Sequence, residues 1–514
     1  MKKILFLLLI IPFLSFGQSQ NPPSVEWKQI NSKHFRVIFP QEIEDYAKKT
    51  VILMDSLYTA DTKVFISKHP PKVDLLLYNR SVVSNAYAAL GPRRMVWYLT
   101  PPSYPSLTLS PWDKTLGIHE FRHVTQYSQM NSGFTTLGKT FFGQYGWSVL
   151  ASWAYPNWYF EGDAIFNETK YSNSGRGRMP SFSLPLRTIY TQNQKISYEK
   201  AHFRSYKTYY PNHYYLGYHM VSYINIHYGE NIWNKIMNRT NMFSFWPYSF
   251  ERSVKKYTGE NVRKTYKKAF VELDSIWTNQ IAQIDITQST RLKTKKKRSW
   301  TNYFDPQIIG KDSLLVLKSG FDDNTTLCYL YKGEEKAIRE ISSENISYAK
   351  GKVVWTRYKS NIRFQEESFN DIVIYDLKSK KLSQITKKGK YFSAEISHNA
   401  DKIVAIKYEA DLIPKIVILN LKGEEIYTFT GNNDEFFMMP TWSSNDKRII
   451  FIKTDINGES LIMLDIEKNS QTVLLEPQWI KFDKAICYNN YVFFPLLSAS
   501  IFFLLSLFCA LSLF

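Results

Sequence analysis

Two stretches of this chain echo one another at a fixed interval. Ile396-Ser397-His398-Asn399, followed by Lys402-Ile403-Val404-Ala405-Ile406-Lys407, returns 46 residues later as Trp442-Ser443-Ser444-Asn445 followed by Arg448-Ile449-Ile450-Phe451-Ile452-Lys453. Tyr375-Asp376-Leu377-Lys378, Leu419-Asn420-Leu421-Lys422 and Leu464-Asp465-Ile466-Glu467 recur at intervals of 44 and 45 residues. A unit of a few short strands cannot bury its apolar face alone, so successive units must stack. A period of about 40 to 50 residues with four strands per unit predicts a β-propeller. The alternating texture begins near Ser299, and residues 299–490 hold about four blades, with a fifth begun at Ala485-Ile486-Cys487-Tyr488-Asn489-Asn490. The expected propeller is therefore incomplete.

Ahead of the repeats stands Leu116-Gly117-Ile118-His119-Glu120-Phe121-Arg122-His123-Val124-Thr125-Gln126. On a helix His119 and His123 are four residues apart, so both imidazoles leave one face and can share a metal ion. Glu120 beside them is placed to take a proton from a water activated at that metal. A catalytic zinc takes a third protein ligand, and the best candidate is Glu161 in Asn157-Trp158-Tyr159-Phe160-Glu161-Gly162-Asp163-Ala164. That segment also reads as a helix, with Pro156 just before its start and Trp158, Ala164 and Ile165 free to pack inward.

The H-E-F-R-H run followed by W-Y-F-E-G-D-A resembles the gluzincin metallopeptidases, whose second helix supplies a glutamate in a W-x-x-E-G-x-A setting. The resemblance covers roughly residues 25 to 285. It implies an α+β zincin-like domain binding zinc through His119, His123 and Glu161, with Glu120 as general base. It also implies a tyrosine that donates to the oxyanion near the start of a later helix ending in Tyr-Gly. Tyr215 is the first choice and Tyr218 the second; either can equally serve as helix packing. The repeat unit is similar to those of TolB-type propellers, in which a serine-rich turn precedes a buried strand.

The remaining features frame these two parts. Met1-Lys2-Lys3, an apolar run from Ile4 to Phe16 and the small residues before Gln18 read as a secretory signal peptide over residues 1–17. The protein is thus expected outside the cytoplasm, periplasmic or extracellular. Three cysteines, Cys328, Cys487 and Cys509, are too few for a disulfide framework. The formal charge is +19, but lysine and arginine are spread widely, so no nucleic-acid partner is expected. The one dense basic run, Lys293 to Arg298, falls in a linker over residues 286–298.

Within residues 18–285, strands are expected over 27–30, 34–39, 73–78 and 94–100, with a helix over 42–58. Strand 94–100 is either a substrate-pairing strand beside the site or an ordinary sheet edge. The metal helix is expected from near Pro111 to about Met130, capped by Asp113 or Ser110. Residues 131–155 show no clear period and form a candidate cleft wall, and 175–201 reads as loop. Helices follow over 214–228, 231–238 and 262–284.

From Tyr491 to Phe514 the chain has no charged residue. By length it could span a bilayer and tether the protein, yet it stands where a propeller needs strands. A chain truncated or read out of frame after about Phe494 is the other expectation. The sequence as a whole predicts an exported zinc peptidase acting on peptide or protein, with a propeller for protein binding. The alternative is a non-catalytic envelope scaffold that keeps the metal helix for structure.

Overall fold

The computed structural model describes residues 21–62, 69–103, 109–285, 288, 297–489, 491–497 and 506–512. The signal-peptide stretch and most of the basic linker lie outside the described residues.

Period-two alternation builds the first sheet. Its strands are β1 (Trp27–Asn31), β2 (Phe35–Pro40), β3 (Val73–Tyr78), β4 (Asn85–Leu90) and β5 (Arg93–Tyr98), in the order β1-β2-β3-β5-β4. Phe35, Val37 and Phe39 on β2 and Val73, Leu75 and Leu77 on β3 point to one buried face. That face packs on α1 (Glu44–Thr62) and α2 (Trp112–Gln129) through Met54, Leu116, Phe121 and Val124. β5 pairs in parallel with β3 on one side and antiparallel with β4 on the other. The strand expected beside the site is thus interior. The edge belongs to β4, whose small side chains (Asn-Ala-Tyr-Ala-Ala-Leu) give almost no strand signal.

Eight more helices follow: α3 (Phe134–Ala154), α4 (Asn157–Tyr171), α5 (Pro180–Thr191), α6 (Tyr198–Phe203), α7 (His213–Tyr228), α8 (Ile232–Met242), α9 (Ser249–Thr258) and α10 (Val262–Ala282). Two expectations are corrected here. Residues 134–154 form α3 rather than an irregular stretch, and the stretch read as loop over 175–201 contains α5 and the start of α6. Trp158, Tyr159, Met220, Ile224, Trp233, Phe250 and Phe270 form the core of this helical layer. α2 starts without a side-chain cap: Pro111 holds the N-cap position, and Asp113 lies in the first turn.

Helix α3 is bent back on itself. Gly143 has φ 62° and ψ −154°, outside the helical region, and splits it into two arms. The arms meet at Gly138 and Gly146, where a Cβ on Gly138 would stand 3.1 Å from the Gly146 carbonyl oxygen.

From Thr301 the chain forms five successive sheets. The first four are antiparallel four-stranded meanders, spanning 301–340, 347–384, 391–430 and 436–478. In the third and fourth of them the first strand is the most buried and the last the most exposed. In the third sheet the first strand, Tyr391–Ile396, is buried throughout and the last, Glu425–Thr430, is mostly exposed. Residues in or just beside the first strand of each of the five sheets line one cavity of about 230 Å³, among them Asp305, Ile346, Glu395, Met439 and Lys484. Sheets set around a common axis in this way make a propeller-like body.

The fifth sheet corrects the reading of the C-terminus. Tyr491–Leu497 pairs with Lys481–Phe482 and Ile486–Tyr488 on one side and with Ser506–Ser512 on the other. The described parts of the apolar run, Tyr491–Leu497 and Ser506–Ser512, are therefore paired strands. Among the described residues no helix is long and apolar enough to cross a membrane.

The propeller grips the first sheet through residues 79–82. Asn79 Nδ2 donates to the Ala410 carbonyl (2.7 Å), the Val82 amide to Ser368 Oγ (2.9 Å) and the Ser368 amide to the Arg80 carbonyl (3.2 Å). Val82 is buried among Phe392, Tyr408 and Phe437, while Leu412 and Phe436 of the propeller join the core of the first sheet.

Candidate metal centre

The 3.6-residue period of α2 puts His119, Glu120 and His123 on one stretch of its surface, all buried. Glu161 reaches them from α4. His119 Nε2 lies 3.2 Å and His123 Nε2 3.5 Å from Glu161 Oε2. The three donor atoms fall within 4.8 Å of one another.

What brings α4 to α2 is a second pair one turn away. Arg122 Nε and Nη2 donate to Asp163 Oδ2 and Oδ1 at 2.8 and 2.9 Å, and Gln126 Nε2 donates to the same Oδ2 at 2.7 Å. α4 is held from its other side by α7. Gly162 and Gly217 face each other so closely that a Cβ on Gly217 would stand 1.9 Å from the Trp158 carbonyl oxygen. Only glycine permits that approach.

The outer nitrogens of both imidazoles are engaged. His119 Nδ1 lies 3.2 Å from Glu168 Oε2, and His123 Nδ1 lies 2.9 Å from Gln126 Oε1. Nδ1–H donation to these oxygens is the tautomer that would turn both Nε2 lone pairs toward a metal, whereas the Glu161 carboxylate at 3.2 and 3.5 Å calls for protons on Nε2 when none is bound. Arg176 fixes Glu168, its Nε donating to Oε1 at 2.7 Å, and its Nη2 also stands 2.7 Å from His119 Nδ1. Two imidazoles and one carboxylate, oriented from behind and opening on a cleft, fit a zinc ion with room for a further ligand.

The electrostatics agree with that fit. Burial pushes the Glu161 carboxyl up, but His123 and His119 outweigh it and hold the group far below the usual carboxylate range. Burial depresses His123, yet Glu161 pushes it up to about 9. Glu168 is held at about 2 by Arg176 and His119 against its burial. In the metal-free cluster, imidazolium protons thus supply the positive charge a cation would bring. Glu120 differs: burial raises its carboxyl, opposed by His119 and His123.

The site opens on a cleft of about 600 Å³ walled by β4, by Ser148 and Ser152 of α3, and by His213 and Tyr214 at the start of α7. Tyr127 OH, at 3.4 Å from the Ala88 carbonyl, ties the edge strand to α2. The structure places both sequence choices for the oxyanion tyrosine away from the cleft. Tyr215 stacks on Phe182 at 4.5 Å between ring centroids, and Tyr218 meets the same ring edge-on. Neither lines the cleft, whereas Tyr214 does, with its hydroxyl pKa raised by burial and by Glu161. Asn212 sets this phase by accepting the Tyr214 amide at the N-cap, 3.1 Å away. The sequence reading also missed Glu168. Its position seven residues after Glu161, two turns along the same face, was the available signal.

No family model matches the chain, and no curated protein matches it. Among solved structures it is similar to TolB from Acinetobacter baumannii, at 12% identity and TM-score 0.29 over 40% of this chain and 53% of that one. The tricorn protease is similar at 9% identity and TM-score 0.32 over 41% of this chain and 25% of that one. The β-propeller domain of the Trilobed protease from Pyrococcus furiosus is similar at 13% identity and TM-score 0.28 over 38% of this chain and 79% of that one. The chain thus matches about half the length of that TolB and a quarter of tricorn.

Proposed function

We propose that this chain is an exported zinc peptidase with a gluzincin-like, zincin-type domain over residues 18–285 and a TolB-like propeller that binds a protein partner. The observation that carries the reading is the convergence of His119, His123 and Glu161 beside the buried carboxyl of Glu120, on a cleft bordered by β4, the last strand of its sheet among the described residues. Zinc, when bound, polarises the scissile carbonyl and lowers the pKa of water at the site.

The chain's own groups would do the rest. An extended peptide adds to β4 as a further strand, which presents its carbonyl to the site. Glu120 accepts the proton of the attacking water and passes it to the leaving amine. The Tyr214 hydroxyl donates to the oxyanion that develops on the former carbonyl. Glu168 and Gln126 hold the two imidazoles in the tautomer that points Nε2 inward.

Metal analysis of the purified protein, joined to cleavage of a mixed peptide library, tests the proposal. The expected result is about one zinc per chain and cleavage that Glu120→Gln abolishes while retaining the metal. Zinc without turnover on any peptide selects the scaffold reading.

A further inference from the structure

The bent helix α3 turns its apolar side chains outward. Phe141 and Phe142 at its tip are 74% and 75% exposed, and Tyr145, Val149 and Trp153 form an i, i+4, i+8 stripe on the second arm, each 68–70% exposed. Folding normally buries such residues; here the opposite side, Ser148, Ala151 and Ser152, faces the cleft. The patch continues into the connection between α8 and α9. Phe134 packs on Phe245 with centroids 4.8 Å apart, and Phe245, Trp246 and Tyr248 are exposed beside it. An exposed apolar face of this extent marks an interaction surface.

The charge around it selects the partner. Between Arg122 and Glu161 the only lysine, arginine or carboxylate is Lys139, and from Asn231 to Phe250 there are two cations and no acid. Lys139 lies over the Trp147 ring at 4.8 Å, Arg239 over Phe243 at 4.9 Å and Arg252 over Trp246 at 5.5 Å. At the tip, Gln144 Oε1 accepts the Arg93 amide at 2.7 Å, while the Arg93 side chain reaches the Lys72 carbonyl and Arg94 lies over the Tyr87 ring. A second copy would oppose this basic rim with its own, and like charges across a two-fold interface repel. Aromatic side chains ringed by cations suit the headgroup zone of an anionic bilayer, where Trp, Tyr and Phe enter the interface and Lys and Arg meet lipid phosphates.

We propose that α3 and the α8–α9 connection dock the protein on an anionic lipid surface. The docking is independent of the peptidase reading.

Flotation of the purified full chain with vesicles of phosphatidylglycerol and phosphatidylcholine, against phosphatidylcholine alone, tests it. Binding is expected to the anionic vesicles only, to weaken with salt, and to fall at least about tenfold in Phe141→Ser/Phe142→Ser/Tyr145→Ser. Trp153→Gln, a milder change, is expected to weaken binding in the same direction, with circular dichroism confirming that each variant is folded. No binding to anionic vesicles overturns the proposal. So does undiminished binding of the folded variants, which assigns attachment elsewhere, including the apolar C-terminal strands. A dimer that the substitutions dissociate, with vesicle binding unchanged, assigns the face to a second copy.

Discussion

Arg122 and Asp163 form a two-point pair in the interior, with both donor–acceptor distances under 3 Å, and it joins the helix of the two histidines to the helix of Glu161. Neither side chain touches the metal site, yet the pair fixes the spacing of the ligands. Removing one partner strands a buried charge. Asp163→Asn or Arg122→Met is expected to cost about 3 kcal/mol or more in denaturant unfolding and to weaken zinc binding. The double change to Met and Leu is expected to recover much of the stability, because no unpaired charge remains. Additive losses in that cycle would show that the two do not act as a pair.

Tyr214 and Tyr215 separate by function. Tyr214→Phe is expected to lower kcat by roughly 10²-fold with KM little changed, the size of losing one oxyanion donor. Tyr215→Phe keeps its stack on Phe182 and is expected to leave both constants near their starting values. Steady-state kinetics on one cleaved peptide decide it.

The metal-free protein has a distinctive pH dependence. His123 titrates near 9 there, above its ordinary 6.5, because Glu161 stabilises the imidazolium. A raised folded-state pKa contributes stability that is fully present below 6.5 and is lost as pH rises through about 9. Chelator-treated protein is therefore expected to lose stability over that window, on the order of a few kcal/mol, and His123→Asn to flatten the loss. Zinc affinity moves the other way, rising with pH as the imidazoles shed their protons. Melting curves with chelator and with zinc, from pH 6 to 9.5, measure both.

The α4–α7 contact is similarly exposed to test. A methyl at position 217 meets the Trp158 carbonyl oxygen at 1.9 Å and the Gly162 Cα at 2.9 Å, and both are backbone atoms that cannot rotate away. Gly217→Ala is expected to destabilise the fold by about 1–3 kcal/mol and, by moving Tyr214 from Glu161, to lower activity more than zinc content. Thermal unfolding and metal analysis on the same sample check this.

Sequence reasoning reached His119, Glu120, His123 and Glu161 because helix geometry maps a spacing of four directly onto one face. It did not single out Tyr214, the tyrosine at the start of α7 that lines the cleft, because the phase of α7 depends on where Asn212 caps it, and a shift of one residue turns a side chain by 100°. Residues 131–155 gave no period because Gly143 interrupts the helical phase and apolar side chains such as Tyr145, Val149 and Trp153 stand on the exposed face, so hydropathy does not mark the inner one. Hydropathy at the C-terminus leaves two readings open. A pair of strands such as Tyr491–Leu497 and Ser506–Ser512 has the same composition as a membrane span, and composition carries no record of pairing.

The stitching of residues 79–82 to the second and third sheets of the propeller ends three positions before β4 begins. The proposed peptide rail is therefore anchored at one end to a separate body rather than to its own sheet alone. A partner that prises those two sheets apart would tug on the rail's first residues, giving the recognition module mechanical leverage over the cleft some distance from where it is touched.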